Sequence, residues 1–320
     1  MRKLVLALLV ATACAADVDV TPLDDDGLAV VGGIDARSPA YRPVGALADP
    51  SGPFCTATLI APTLIVSARH CIHGPSIFRG EVTFRIGQDA NVPEREVQVV
   101  AAAKPDLDSG GWIGVGSDVA VFQLGEPITD VPPMKIGAVP LTKTDLGRKS
   151  IVVGYGRQSQ DLLAEQGVYG TRKVGNMTLR AVDGKPLRQT FATFELFVAK
   201  IAELEGHALD AADTKQLQIA WDYDLLAQHE VFLGFGPKDV QICHGDSGSP
   251  LIWVRSGARE VQGVLTGGII VGGRHCRGAF YAAFGPRARA LVDATMACEK
   301  TGCPLYPWSA KVAPGRRKKP

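Results

Sequence analysis

The sequence has no excess of charge of either sign: 34 Lys plus Arg stand against 33 Asp plus Glu, a formal net charge of +1. That balance gives no electrostatic ground for a nucleic-acid partner or a charged membrane surface. Long low-complexity tracts are missing. Past the first residues, no apolar run approaches the roughly 20 residues that a membrane helix requires, so no membrane span is expected. The cysteines nowhere form close-set CxxC pairs, which argues against a zinc site. Regularly spaced helices between apolar segments are missing too, and their absence excludes a parallel α/β sheet. What the chain does have is a 46% hydrophobic composition over 320 residues, enough to bury a substantial core in one or two domains.

The two ends differ from the rest. Met1-Arg2-Lys3, the apolar run Leu4 to Val10 and the small residues ending in Ala13-Cys14-Ala15 have the order of a secretory signal peptide, residues 1–15, cut after Ala15. The expectation is a secreted, soluble product, extracellular or periplasmic. Removing Cys14 leaves six of the seven cysteines, an even number suited to three disulfides in an oxidising compartment. Ala11-Thr12-Ala13-Cys14 loosely resembles a lipoprotein site, so lipidation at Cys14 is the alternative. At the other end, Gly315 to Pro320 is a short basic tail read as a solvated terminus.

From Val30 onward, short apolar or alternating runs are punctuated by Gly, Pro, Asp and Asn, among them Thr56 to Ile60, Leu64 to Ser67, Val82 to Ile86, Val119 to Leu124, Leu251 to Val254 and Val261 to Leu265. Such runs predict an all-β sandwich or barrel. Phe191 to Glu230 departs from this pattern: Ala199 to Glu205 and Leu217 to Gln228 favour helix by propensity, so 191–230 is read as a partly helical insertion. Pro286 to Ala297 also has helical spacing and a proline at its start.

Three segments carry chemistry. Cys243-His244-Gly245-Asp246-Ser247-Gly248-Ser249-Pro250 precedes the apolar strand Leu251 to Val254. A serine hydroxyl needs a base to become a nucleophile, and the tetrahedral adduct needs donors for its oxyanion. Glycine at 245 allows the amides of Gly245 and Ser247 to supply them. Ser67-Ala68-Arg69-His70-Cys71 closes the apolar strand Leu64 to Val66, and Cys71 can pair with Cys55, 16 residues upstream, pinning the loop that carries His70. Gly116-Ser117-Asp118 enters the strand Val119 to Leu124. A carboxylate there is costly unless hydrogen-bonded, and a histidine N–H is a suitable partner. His73, His207, His229 and His275 have no such setting; His244 is placed at the substrate entrance.

In the order His, Asp, Ser these residues resemble the trypsin/chymotrypsin-like serine protease family over about Val30 to Ala297, most weakly in the insertion. The resemblance implies two six-stranded antiparallel β-barrels, residues 30–143 and 144–285, a helix at 286–298 and a loop and tail at 299–320. It implies a Ser-His-Asp triad of Ser247, His70 and Asp118, the arrangement that serves as the general template for serine proteases. Peptide bonds of a protein or peptide substrate would be hydrolysed through an acyl-enzyme, with water as second substrate and no metal or organic cofactor. Tyr155-Gly156 is similar to the family's aromatic-Gly segment in the second barrel. Val30-Val31-Gly32-Gly33 looks like the mature N-terminus, making 16–29 a propeptide; the freed amino group would pair with Asp246. Because Ala29 precedes that cut, the activating protease would prefer small residues, or the chain would process itself.

Counting within the family pattern places Gln241 at the base of the primary pocket, Gly268 and Gly278 on open walls and Thr266 beside them. With no carboxylate at 241, Arg and Lys substrates lose their ion pair, and uncharged medium or large side chains are expected, unless a bulge brings Asp239 into the pocket. Cys243 would pair with Cys276, and by parity Cys298 with Cys303. Arg69, Ser249, Thr266 and Gly267 depart from the family's usual residues. The rival readings are a non-catalytic binding protein on the same fold and an esterase. The esterase elbow needs glycine where Ser249 stands, and its histidine follows its serine.

Overall fold

The computed structural model of the chain describes residues 32–72, 74–105, 114–157, 169–236, 238–271, 275–301 and 310–311. The expected signal peptide, propeptide, Val30, Cys14, His73, Cys303 and the basic tail lie outside them. Six strands form the first barrel: β1 (Val44–Asp49), β2 (Gly52–Ala61), β3 (Leu64–Ser67), β4 (Thr83–Ile86), β5 (Arg95–Ala103) and β6 (Ala120–Leu124). They pair antiparallel in the closed order β1-β2-β3-β6-β5-β4. The second barrel comprises β7 (Lys149–Gly154), β8 (Lys173–Ala181), β9 (Glu230–Leu233), β10 (Pro250–Arg255), β11 (Ala258–Val271) and β12 (His275–Ala283). It closes as β7-β8-β9-β12-β11-β10, the same topology once more. The all-β expectation of two six-stranded barrels therefore holds.

Strand periodicity explains why several strands read as unbroken apolar runs rather than as alternation. In β3, Ile65 faces the interior of the first barrel with Leu47, Leu59, Phe84 and Phe122. Its neighbours Leu64 and Val66 face outward and meet Val153, Val174, Ile252, Val261 and Val264 of the second barrel. Successive side chains point to opposite faces, so a strand buried between a barrel interior and the barrel-barrel interface is apolar on both. The second barrel has its own interior, around Met177, Leu179, Leu233, Leu251, Trp253 and Tyr281.

Helix α1 (Gly74–Arg79) follows the loop that carries His70. The insertion folds as α2 (Pro186–Thr190), α3 (Phe194–Glu205) and α4 (Ala211–Asp222). Thr193 caps α3 by accepting from Leu196 N, Asp210 caps α4 by accepting from Asp213 N, and Gly206 ends α3 in the left-handed conformation. Phe197 stacks on Trp221, ring centroids 5.9 Å apart, in an aromatic core that rests on Phe232 of β9 and Ile269 of β11. Two boundaries differ from the sequence reading. Helix begins at Pro186, ahead of Phe191, because Lys185 is extended and a proline fits the first helical turn. It stops at Asp222, short of Gln228: Tyr223 turns extended, Leu225 pairs with Gly184, and the Leu226 N–H goes to Glu230. Helix α5 (Pro286–Thr301) packs back on the first barrel, where Glu299 Oε1 accepts from Thr63 N at 2.9 Å.

Candidate active site

His70 sits in a single 3-10 turn, Arg69–Cys71, directly after β3, and the Cys55–Cys71 disulfide ties that turn to β2. Asp118 follows another such turn, Val115–Ser117, just before β6. Since β3 and β6 are hydrogen-bonded neighbours, the two side chains arrive at the same end of the first barrel. The Asp118 carboxylate, 7% exposed, lies 2.7 Å from His70 Nδ1 through Oδ2 and accepts the His70 backbone N–H at 2.9 Å through Oδ1. An ionised carboxylate can only accept, so Nδ1 carries the hydrogen and Nε2 keeps its lone pair for another donor. The imidazole is 43% exposed, open on that side.

Ser247 reaches the same place from the second barrel. Its carbonyl accepts from Thr56 N at 2.8 Å and lies 3.8 Å from Cys71 Sγ, beside His70. Thr56 Oγ1 donates to Gly245 O at 3.0 Å and accepts from Tyr155 N at 3.1 Å. Gly248 has φ +81°, and a Cβ on it would stand 2.3 Å from Thr56 O and 2.9 Å from Ala68 N. Only glycine permits that approach of the serine loop to the histidine loop. No hydrogen bond joins the His70 ring to the Ser247 hydroxyl among the described residues. Such contacts are often long without substrate and close in the bound complex.

Four amides of the loop are donated within the protein, those of Cys243, Asp246, Gly248 and Ser249. Those of His244, Gly245, at φ +91°, and Ser247 meet no acceptor among the described residues, and Gly245 and Ser247 are the two expected to serve an oxyanion. Asp246 is fully buried; burial pushes its carboxyl up to about 7, partly offset by the Cys243 and Gly156 amides it accepts from. No Lys or Arg pairs with it among the described residues. Gly154 and Gly156 leave the space that its carboxylate fills.

At the pocket, Gln241 Oε1 accepts from Gly278 N at 3.2 Å, crossing toward the opposite wall. The Asp239 carboxylate is bonded to Thr178 N and Oγ1 and to Gly236 N, on the β8 side, while its backbone carbonyl accepts from Gln241 Nε2 at 3.4 Å. At Gly268 and Gly278 the direction a side chain would take is filled: a Cβ at 268 would lie 2.8 Å from Gly278 O, and one at 278 would lie 2.8 Å from the Phe232 ring. Among the described residues Thr266 Oγ1 is buried and without a partner, as is Arg69 Nε. The Cys243–Cys276 disulfide closes the rim. Cys298 is disulfide-bonded as well, although Cys303 lies outside the described residues. Cys55, His70 and Cys71 cluster within 4.8 Å, but both sulfurs are spent in the disulfide and are not thiolate ligands.

Several residues of the site escaped the sequence reading. Thr56 and Thr58 are polar on a buried strand, a signal the apolar pattern hid. Arg277 and Glu205 form a buried ion pair at 3.0 Å that fastens α3 to the pocket rim. A cavity of about 310 Å³, lined by Ile219, Ala220, Tyr223, Gly268, Ile269 and Phe280 among others, opens between α4 and β11. No helix of the described residues is long and apolar enough to cross a membrane.

Comparison with known proteins finds a family match and relatives for the chain. The sequence model described as Trypsin matches residues 30–193 and 200–288, its interruption falling within α3. The chain is 27% identical to neutrophil elastase of Mus musculus over 130 residues, 40% of this chain and 49% of the elastase. It is 28% identical to brachyurin of Leptuca pugilator over 178 residues, 49% of this chain and 76% of brachyurin. The match thus spans about half the length of the elastase.

Proposed function

The chain belongs to the trypsin family of serine proteases, and from that premise we propose that it is a secreted serine endopeptidase whose triad is Ser247, His70 and Asp118. The carrying observation is the His70–Asp118 contact of 2.7 Å beside a serine loop whose Gly245 and Ser247 amides are unspent. Asp118 holds the hydrogen on Nδ1, so Nε2 is the base. It takes the Ser247 proton as the oxygen attacks the scissile carbonyl, and the oxyanion falls to the Gly245 and Ser247 amides. The imidazolium then protonates the leaving amine, and water hydrolyses the acyl-enzyme by the same steps in reverse.

The substrate is a protein or peptide. Gln241 brings no charge to the pocket base and Asp239 is committed elsewhere, so cleavage follows uncharged side chains rather than Arg or Lys. The enzyme is made as a zymogen: a cut before Val30 frees an amino group for Asp246, a buried carboxylate that lacks a cation among the described residues. One observation favours the second reading, a non-catalytic binding protein on this fold, namely that His70 and Ser247 are not hydrogen-bonded to each other.

A peptide-library digest decides between them. Processed wild type should cut after uncharged residues and Ser247→Ala should not cut. Equal cleavage by both would remove Ser247 as nucleophile, and no cleavage by either would favour the binding protein.

A further inference from the structure

The turn that delivers Asp118 belongs to the first barrel, yet its outer donors are held by the second. Within the turn, Asp118 N donates to Val115 O at 2.9 Å and Ser117 N to Gly114 O at 3.2 Å. The N–H groups of Val115 and Gly116 have no partner inside so short a turn. Val115 N donates to Tyr223 Oη at 3.2 Å, and Gly116 N to Glu230 Oε1 at 2.7 Å. The other oxygen of Glu230 accepts from Tyr223 Oη at 3.0 Å and from Leu226 N at 3.0 Å. Glu230 is 1% exposed at the head of β9, while Tyr223 follows α4.

Packing makes the contact stiff. A Cβ on Gly116 would lie 2.8 Å from His229 Cβ, and one on Gly114 would lie 3.1 Å from both Glu230 Oε1 and Tyr223 Oη. The turn therefore lies flush on the second barrel with no slack for a side chain. Hydrogen bonds to a buried carboxylate are short and strong compared with neutral ones, and leaving such a charge unmatched is costly. Burial pushes the Tyr223 phenol up to about 12, so it remains a donor across the working range of pH.

We propose that Glu230, acting with Tyr223, is a positioning residue that fixes the Asp118 turn against the second barrel and thereby sets where His70 stands relative to Ser247. This rests on the triad reading above. His70 and Asp118 move with one barrel and Ser247 with the other, so their alignment depends on the interface between barrels. At the serine side that interface is held through Thr56; at the aspartate side Glu230 holds it. Neither Glu230 nor Tyr223 touches the reacting atoms. The insertion thus has a role in the chemistry through Tyr223, whose ring also lines the cavity beside Gly268.

The test uses processed enzyme with Glu230→Gln, Tyr223→Phe and Asp118→Asn, alone and combined, on a small peptide amide. Glu230→Gln keeps the shape of the side chain and removes its charge and one acceptor; kcat should fall about tenfold with KM within about twofold. Tyr223→Phe keeps the cavity wall and loses only the hydroxyl; kcat should fall about threefold. In the Asp118→Asn background neither should lower the residual rate further, since both act through that side chain. The strongly downfield proton resonance of His70 Nδ1–H should shift in both single variants. Unchanged kcat and an unmoved resonance in both would overturn the proposal, as would losses that remain whole in the Asp118→Asn background. Should Glu230→Gln fail to fold, Tyr223→Phe decides by the same readings. Full activity of Asp118→Asn would instead defeat the triad reading, a separate outcome.

Discussion

The two barrels are fastened on either side of the candidate site by different means. On the serine side the fastening is neutral, made of two hydroxyls and the backbone: Thr56 N donates to Ser247 O, Thr56 Oγ1 donates to Gly245 O and accepts from Tyr155 N, and the Tyr155 hydroxyl donates to Val44 O. On the aspartate side a buried carboxylate, Glu230, gathers Gly116 N, Tyr223 Oη and Leu226 N. A neutral seam in which Gly248 lies against the backbone of Thr56 and Ala68 defines position by close approach and tolerates no added atoms. A carboxylate seam defines position by charge and tolerates shape changes as long as its donors are kept. The serine side should accordingly break under steric change, and the aspartate side under removal of charge or of a hydroxyl.

The largest expected effect comes from adding one carbon to the serine side. In Gly248→Ala the new methyl meets Thr56 O at 2.3 Å on a backbone with φ +81°, and the Ala68 amide at 2.9 Å. Neither backbone atom can yield without separating the serine loop from the histidine loop. Stability should drop by about 4 kcal/mol or more, and kcat/KM by at least about a hundredfold. Thermal melting and steady-state kinetics on a peptide amide measure both. A near-normal enzyme would mean that the serine-side seam does not depend on close approach.

A smaller loss should follow Thr56→Val, which keeps the volume and removes the hydroxyl. Tyr155 N and Gly245 O then lose a shared partner in a buried place, at a cost of about 1–3 kcal/mol. The Gly245 peptide is freed to rotate, so the oxyanion amides lose definition and kcat should fall roughly tenfold with KM little changed. If Thr56→Val instead weakened KM alone, the hydroxyl would serve substrate binding rather than the loop, and the contrast between the two seams would narrow.

These seams also mark what could be read in the amino-acid sequence. The serine loop was legible because its chemistry demands particular residue types at fixed offsets: Gly245 at φ +91°, Asp246 buried, Ser247, Gly248 against the first barrel. The short apolar runs pointed to the all-β architecture, since β3, buried on both faces, is apolar from Leu64 to Val66. The aspartate-side seam was not legible. Glu230 begins a strand at the end of a helical stretch, and a glutamate there reads as one more solvated charge. Its burial follows from the pairing of β9 with β12, a contact between residues about 50 apart in sequence. The glycines at 268 and 278 show a related limit: what fills the direction of a side chain there is Gly278 O in one case and, in the other, the Phe232 and Phe235 rings, which lie far off in sequence.

The last effect is a slope with pH rather than a single loss, and it concerns the buried carboxyl behind the serine loop. Asp246 has its carboxyl raised by burial from 3.8 to about 7, whereas an unfolded chain ionises it in the ordinary range. Between about pH 4 and 7 the folded chain therefore holds a proton that the unfolded chain has released. Stability from this group is complete below the unfolded value and is lost as pH rises through the folded one. In the unprocessed chain the melting temperature of wild type relative to Asp246→Asn should thus decline from pH 4.5 to 7.5. Processing before Val30 should reverse that slope, because an ammonium beside Asp246 lowers its folded value below the unfolded one and makes ionisation favourable. Melting curves of precursor and processed enzyme, each against Asp246→Asn across that range, read the sign directly. Parallel curves for precursor wild type and variant would show that Asp246 is not carrying an uncompensated charge. A slope unchanged by processing would show that the new terminus does not reach it, leaving Thr56 and its neighbours to order the serine loop without help from the terminus.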